Sequence, residues 1–300
     1  MGDVGSDSLE GKSNIEVPSS GMLANEAKPY QICSSIVLFE NDPAEVTAAI
    51  RSVLDAPMRT ACTVIDNSPT CSLRQCVLNA GAQYIHSAEN VGFGAAHNIA
   101  LRTHIGVSEF SLIQNPDVEF SADTLSALYE FMLNRPEVGL VMPGILYPDG
   151  TEQRLCKRLP GPIDLILRRF SGPIGRVLFR GQLKRYELAH LDMGIPREVP
   201  CLSGCFMFIR SAVLREIGCF DERYFMYMED VDLCRRIGVN YKTVFYPNVS
   251  VTHGYRKGSY RTSKLMKYHI QSAIRYFGKW GWLWDPVRKD LNHRTGPLVS

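Results

Sequence analysis

Ile32-Cys33-Ser34-Ser35-Ile36-Val37-Leu38-Phe39 is a short, nearly continuous apolar run, and the stretch after it, Pro43 to Leu54, carries Val46, Ile50, Val53 and Leu54 at helical spacing. The first pattern is that of a strand buried on both faces, the second that of a helix with one face on a core. Outward from this pair the alternation repeats. Cys62–Ile65 predicts a strand, Leu73–Asn79 a helix closed by Gly81, Gln83–His86 a strand and Ala95–Thr103 a helix. Glu109–Ile113, Ala122–Asn134 and Val138–Met142 continue as strand, helix and strand. Strands alternating with helices predict an α/β fold with a mainly parallel sheet covered on both faces. Ligands in such sheets sit at the carboxyl ends of the strands, so chemistry is expected in the loops beginning near Phe39, Asp66, Ser87 and Gln114.

The second half is less regular. Leu202–Ile209 predicts a buried strand, Ser211–Ile217 and Glu229–Ile237 helices, and Lys242–Tyr246 and Val249–Thr252 two strands. Residues 154–185 carry nine Lys/Arg (Arg154, Lys157, Arg158, Arg168, Arg169, Arg176, Arg180, Lys184, Arg185) against one acid, Asp164, with Ile163, Leu165, Ile166, Phe170 and Leu178 between them. The end, 255–289, is again basic and carries Trp280, Trp282 and Trp284. Residues 1–28 hold almost no large apolar side chains and read as a flexible tail. The division is then tail 1–28, a domain over 29–280 with halves 29–150 and 151–280, and a carboxyl-terminal extension 281–300.

The 300 residues are 45% hydrophobic and 21% charged, an ordinary globular composition able to bury a core. A net charge of +2 does not argue for nucleic acid. No run reaches the roughly 18 to 20 apolar residues of a bilayer-spanning helix, and residues 1–28 lack a secretory signal pattern. Nine cysteines without a CxxC pair, several inside apolar runs, predict reduced thiols and a cytoplasmic setting.

Five polar clusters fall on the expected loops. Asp66-Asn67-Ser68 follows a strand; its carboxylate suits a pyrimidine N–H, or simply an Asx-turn. In Glu89-Asn90-Val91-Gly92-Phe93-Gly94-Ala95-Ala96-His97-Asn98 the glycines allow close backbone approach and the helix start favours phosphate, or the loop is a tight junction. Asn115-Pro116-Asp117 offers one oxygen ligand for a hard cation, or a turn. Glu229-Asp230-Val231-Asp232 opens a helix, where acids cap; beside Tyr224-Phe225-Met226-Tyr227 one of them also suits a general base. Asp232 can pair with Arg235 or Arg236 across one turn. His253 ends a strand, where a histidine can ligate metal.

In order, Ile65-Asp66-Asn67-Ser68, Asn90 to Asn98, Asn115-Pro116-Asp117, Ser203-Gly204-Cys205-Phe206-Met207, Gly218-Cys219-Phe220-Asp221-Glu222 and Glu229-Asp230-Val231-Asp232-Leu233 resemble the family 2 inverting glycosyltransferases, most of all their bacterial rhamnosyltransferase branch, which builds O-antigen and other surface polysaccharides. The resemblance covers roughly residues 31–280 and implies the GT-A fold, a Rossmann-like nucleotide-binding sheet joined to an acceptor-binding half. It implies that Asp66 contacts the pyrimidine base and that Asn90 and Gly92 line the nucleotide pocket. Asp117 takes the place of the last acid of a DxD metal motif whose first acid is here Asn115, and His253 completes the site for a divalent metal, Mg²⁺ or Mn²⁺. Asp230 matches the catalytic base, with Glu229, Asp232 and Arg235 in acceptor or supporting roles.

The implied reaction moves a sugar from a nucleotide-diphosphate donor, dTDP-rhamnose by branch resemblance, to a glycan or polyprenyl-diphosphate acceptor. One base suffices, unlike the carboxylate pair of hydrolases. The basic segment 154–185 reads either as an interfacial helix holding the enzyme peripherally on the inner face of a membrane or as a solvated helical pair. UDP-sugar use and a non-catalytic nucleotide-sugar-binding module are the alternatives. A nucleotidyltransferase needs a glycine-rich basic loop after the first strand and a dehydrogenase a glycine fingerprint there; Glu40-Asn41-Asp42-Pro43 is neither.

Overall fold

The computed structural model describes residues 28–170, 177–254 and 263–298; the expected amino-terminal tail, Lys28 apart, and positions 171–176 of the basic segment lie outside them. β1 (Tyr30–Leu38) is buried from Ile32 to Ile36 and again at Leu38, as its apolar run requires. α1 (Pro43–Leu54) forms where its spacing places it: the Asp42 carboxylate accepts from Ala44 N–H, Pro43 opens the first turn, and Val46, Ala49, Ile50 and Val53 are buried. β2 (Thr60–Asp66), α2 (Arg74–Asn79), β3 (Gln83–His86), α3 (Phe93–Val107) and β4 (Ser108–Gln114) follow. α3 is longer than its apolar spacing suggests because His97, Asn98 and His104 lie on its buried face.

β5 (Val118–Glu119), α4 (Ala122–Leu133) and β6 (Val138–Leu146) complete the first half. After them come α5 (Pro162–Phe170), α6 (Arg180–Tyr186), β7 (Arg197–Glu198), β8 (Phe206–Arg210), α7 (Ser211–Ile217), α8 (Glu229–Asn240), β9 (Lys242–His253), α9 (Ser263–Trp280) and α10 (Pro286–Leu291). The strands make one sheet in the order β3-β2-β1-β4-β8-β6-β9-β5, with β7 on β9. β1 to β4 pair in parallel, as do β6 and β9. β8 runs antiparallel to β4 and β6, and β5 and β7 antiparallel to β9. The parallel character thus belongs to the first half and the β6–β9 pair; the sheet between is mixed.

Two details of the second half differ from the sequence pattern for local reasons. The strand expected from Leu202 begins only at Phe206, because residues 201–205 leave the ladder: Cys201 pairs its backbone with Lys157, and Gly204 turns to another partner described below. The two strands expected around Pro247 are one. Tyr246 faces Pro143 and Ser250 faces Gly144, so a bulge absorbs the intervening residues, including the proline that has no N–H to give. Residues 281–298 pack on the domain: Leu291 of α10 is buried against Gly238 of α8, and Leu298 N–H donates to the Pro196 carbonyl at 3.0 Å.

Candidate active site

Donors of metal-ligand type meet where β4 and β9 end. β5 pairs with β9 so that Val118 lies opposite His253, and Gly254 N–H donates to the Asp117 carbonyl at 2.9 Å. This register sets Asp117 Oδ1 3.4 Å from His253 Nε2, with Asn115 Nδ2 3.2 Å from the same nitrogen. Gln153, which the motifs did not single out, decides the tautomer. Its Nε2 donates to the carbonyls of His253 (2.8 Å) and Leu146 (3.2 Å), leaving Oε1 to accept from His253 Nδ1 at 3.0 Å. The proton therefore sits on Nδ1, and Nε2 keeps the lone pair that accepts from Asn115 Nδ2, with Asp117 beside it.

Among the described residues no group of three or more His, Cys, Asp or Glu gathers as a metal site. The chain's contribution to a hard cation is thus Asp117, His253 and Asn115. The 3.4 Å between Oδ1 and Nε2 is close to the ~3 Å kept by adjacent ligands of an octahedral ion at ~2.1 Å, so Asp117 and His253 are spaced as two ligands of a divalent ion would be.

Asp230 stands in the first turn of α8. That helix is entered through two successive non-glycine residues with positive φ, Tyr227 and Met228, both at 68°. Backbone of this kind costs energy and persists where the surroundings hold it, commonly at functional sites. Asp230 Oδ1 accepts from Val231 N–H at 2.8 Å and Oδ2 from Gly204 N–H at 3.1 Å. A Cβ on Gly204 would lie 3.3 Å from Asp230 Cβ, so only glycine lets the two approach without adjustment. The next carbonyl, that of Cys205, accepts from Asn115 N–H at 2.9 Å. Gly204–Cys205 therefore holds the acid of α8 and the metal-type cluster to one another. Lys157 lies within electrostatic reach of Asp230; burial and the neighbouring Arg168 pull its pKa below the usual lysine range, against the pull of Cys201 and Asp230.

The other members of the acidic cluster have separate duties. Glu229 is buried beside Gly94 at the start of α3, and its Oε2 has no partner among the described residues. Burial, then the Asp230 charge, raises its carboxyl well above 4.5. Asp232 is fully buried and accepts from Arg236 Nε (2.8 Å), Lys279 Nζ (2.7 Å) and Trp280 Nε1 (2.8 Å), which is the supporting arginine pair and more. Arg235 is buried too, bidentate to Asp285 at 2.5 and 2.7 Å with Trp280 stacked on its guanidinium, and so is not open to an acceptor.

Asp66, Asn90 and Gly92 gather at the ends of β2 and β3. Asp66 is fully buried; Oδ1 accepts from Ser68 N–H at 2.9 Å, closing an Asx-turn, and Oδ2 from the Tyr84 hydroxyl at 2.8 Å. Asn90 Oδ1 accepts from Gly92 N–H at 3.0 Å, and Asn67 Nδ2 donates to the Gly92 carbonyl at 3.3 Å. One expectation is corrected. The close approach that Gly92 and Gly94 permit is made by the chain itself: a Cβ on Gly92 (φ 91°) would strike the Phe225 carbonyl oxygen, one on Gly94 would lie 2.9 Å from Phe220 Cβ, and Phe93 N–H donates to Phe225 O at 3.0 Å. The start of α3 is thus a seat for residues 220–225 rather than an open phosphate cradle.

The sequence profile of glycosyl transferase family 2 matches residues 34–218. An N-acetylglucosaminyl-diphospho-decaprenol L-rhamnosyltransferase of Mycobacterium tuberculosis is 29% identical over 217 residues, 67% of this chain and 69% of that protein. The rhamnosyltransferase WbbL of Escherichia coli K12 is 24% identical over 230 residues, 72% of this chain and 81% of that protein. In fold the chain is similar to the mannosyltransferase PcManGT of Pyrobaculum calidifontis, solved with GDP-Man and Mn²⁺ (TM-score 0.58, 16% identity, 88% of this chain and 68% of that one). It is likewise similar to GalNAc-T7, solved with UDP, GalNAc and Mn²⁺ (TM-score 0.61, 15% identity, 88% of this chain and 50% of that one). With more than half its length matched by the family profile and the GT-A architecture of these neighbours, the chain belongs to glycosyl transferase family 2 and is a glycosyltransferase.

Proposed function

We propose that this glycosyltransferase moves a sugar, with inversion, from a nucleotide-diphosphate donor to a hydroxyl of a glycan or polyprenyl-diphosphate-linked acceptor. Asp230 acts as the base. The observation that carries this reading is the Gly204–Cys205 step, which binds the Asp230 carboxylate on one side and Asn115 on the other, so base and diphosphate-facing cluster share one loop. Asp230 takes the proton of the acceptor hydroxyl as its oxygen bonds to the anomeric carbon. The bond from that carbon to the diphosphate breaks, and the nucleoside diphosphate leaves with the electron pair. Asp117 and His253, with Asn115, would hold a divalent ion, Mg²⁺ or Mn²⁺, that offsets charge on the leaving diphosphate. Gln153 fixes His253 in the ligating tautomer.

Asp66 and Asn90 are assigned to the nucleotide, Asp66 to a pyrimidine ring. L-Rhamnose from dTDP-rhamnose is the donor of choice, supported by the rhamnosyltransferases among its relatives. No helix among the described residues is long and apolar enough to cross a membrane. Leu283 (90% exposed) and Trp284 (86%) beside basic helices support peripheral contact with the inner face of a membrane, where a lipid-linked acceptor resides.

A donor panel tests the assignment. Purified protein is offered thymidine-, uridine- and guanosine-diphosphate sugars with Mg²⁺ or Mn²⁺ and a lipid-diphosphate acceptor, and nucleoside diphosphate release is followed. Release from one donor, abolished by chelation, is expected. Binding of none of the nucleotides would overturn the reading.

A further inference from the structure

A cavity of about 560 Å³ opens between α5, α6 and α10, apart from the Asp117–His253 cluster. Arg158, Arg185 and Arg288 line it, together with Gln182 and Asn292. Against these three cations stands one carboxylate, Asp164, whose oxygens already accept from Gln182 Nε2 (3.0 Å) and Gly161 N–H (2.8 Å). Neither Arg158 nor Arg185 pairs with a carboxylate among the described residues: Arg158 reaches only the Asn292 carbonyl, at 3.4 Å. Arg288 donates to the Pro160 carbonyl at 3.3 Å and sits 3.9 Å from Asp285, which Arg235 already neutralises in bidentate fashion. Burial, then the Arg185 charge, lowers the Arg158 pKa, the sign of a guanidinium short of counter-charge. Cations gathered in this way with free donors fit phosphate oxygens, which arginine engages in pairs.

The other side of the same helix is apolar. α5 contributes Asp164 to the cavity, but Leu165 and Ile166 to a groove of about 280 Å³ closed by Ile270 and Ile274 of α9 and by Trp282. At about 100° per residue Leu165 lies just over a quarter-turn and Ile166 just over half a turn round from Asp164, so the groove runs along the flank and far side of α5 from the cavity. Ile166 and Ile274 are more than half exposed. Tyr186, another wall of the cavity, is buried and lies within electrostatic reach of both Asp164 and Asp230.

We propose that the Arg158–Arg185–Arg288 cavity binds the diphosphate of a prenyl-diphosphate acceptor whose hydrocarbon chain leaves along the α5–α9 groove. This rests on the glycosyltransferase reading above and gives its acceptor a seat. A diphosphate brings the negative charge the cavity lacks, and an isoprenoid chain covers the side chains the groove leaves bare. One ligand satisfies both faces of α5, which neither a free phosphate nor a plain hydrocarbon does.

The test measures binding of geranylgeranyl diphosphate, inorganic pyrophosphate and dTDP to the full chain by calorimetry. Where the donor panel selects another nucleoside diphosphate, that one replaces dTDP. Geranylgeranyl diphosphate is expected to bind at least tenfold more tightly than pyrophosphate. R158Q/R185Q should weaken it tenfold or more while dTDP affinity stays within twofold, which also shows that the variant folds. Ile166→Asp should bring geranylgeranyl diphosphate down to the level of pyrophosphate. The proposal is overturned if R158Q/R185Q binds geranylgeranyl diphosphate as the wild type does, or if pyrophosphate binds equally well, which means a free-phosphate site. It is also overturned if dTDP displaces the prenyl diphosphate competitively, which means one shared nucleotide site. Failure of dTDP to bind the wild type would instead count against the glycosyltransferase reading.

Discussion

Gln153 touches no substrate in this account, yet it determines what His253 can do. Two backbone carbonyls fix its amide, and its oxygen fixes the proton on Nδ1. Gln153→Leu removes that support; the expected result is about a 10- to 100-fold higher Mn²⁺ concentration for half-maximal transfer, with kcat recovered at saturating metal. An unchanged metal dependence would assign Gln153 to packing alone. The residues to which the chemistry is assigned could be singled out at this scale because Asp117, Asp230 and His253 each stand at a strand or helix end inside a recognisable run. Gln153 was not: its role comes from the hairpin at Pro148-Asp149-Gly150, which folds it back so that its N–H reaches the Ile145 carbonyl at 2.7 Å. Gly92 was noticed for close backbone approach, with a ligand or a tight junction as open readings; the Phe225 carbonyl fills that place, and sequence shows that a backbone comes close but not whose.

At the scale of elements, Asp232 is the clamp between α8 and α9. It is buried and receives two cations, Arg236 and Lys279, together with the Trp280 indole. Asp232→Ala would take the carboxylate from the half-buried Arg236, leave Lys279 with Asp221 alone and leave the Trp280 indole unpaired, a change that costs about 1–3 kcal/mol. The expected outcome is a large fall in stability by chemical denaturation, with α9 the first part to lose hydrogen-exchange protection; a loss below 1 kcal/mol would contradict the clamp. α1 was readable to the residue because cap, proline and spacing agree. α3 was cut short by its buried histidines and asparagine, and β5 and β7, two residues each, are too brief to show any period. β5 is nevertheless the element that brings Asp117 to His253.

Over the whole molecule, buried titratable groups of opposite sign bear on how stability follows pH. Burial lowers the pKa of His97 to about 3 and of His104 to about 4, both from 6.5. Folded depressed below unfolded means that the unfolded chain binds more protons, so stability is lost as pH falls below 6.5. Each histidine contributes on the order of 1.4 kcal/mol per pH unit. Glu229 has the opposite sign: raised well above 4.5, it stays protonated in the fold while the unfolded chain ionises, and stability is lost as pH rises from 4.5. Between pH 6.5 and 4.5 the two trends oppose one another. Glu229→Gln removes the opposing trend, so the acid loss should steepen in denaturant titrations at several pH values. An unchanged slope would mean that Glu229 ionises in the folded protein.

The central claim is that Asp230 acts on the acceptor and the Asp117–His253 cluster on the donor. It is tested most directly by one variant read two ways. Asp230→Asn is compared with the wild type for sugar transfer and, on the same preparation, for nucleoside diphosphate affinity in the presence of Mn²⁺. The account predicts that transfer falls at least about a hundredfold while affinity stays within about twofold, because a base is removed and the diphosphate site is left whole. Transfer that survives, or binding that falls in step with it, would contradict the claim.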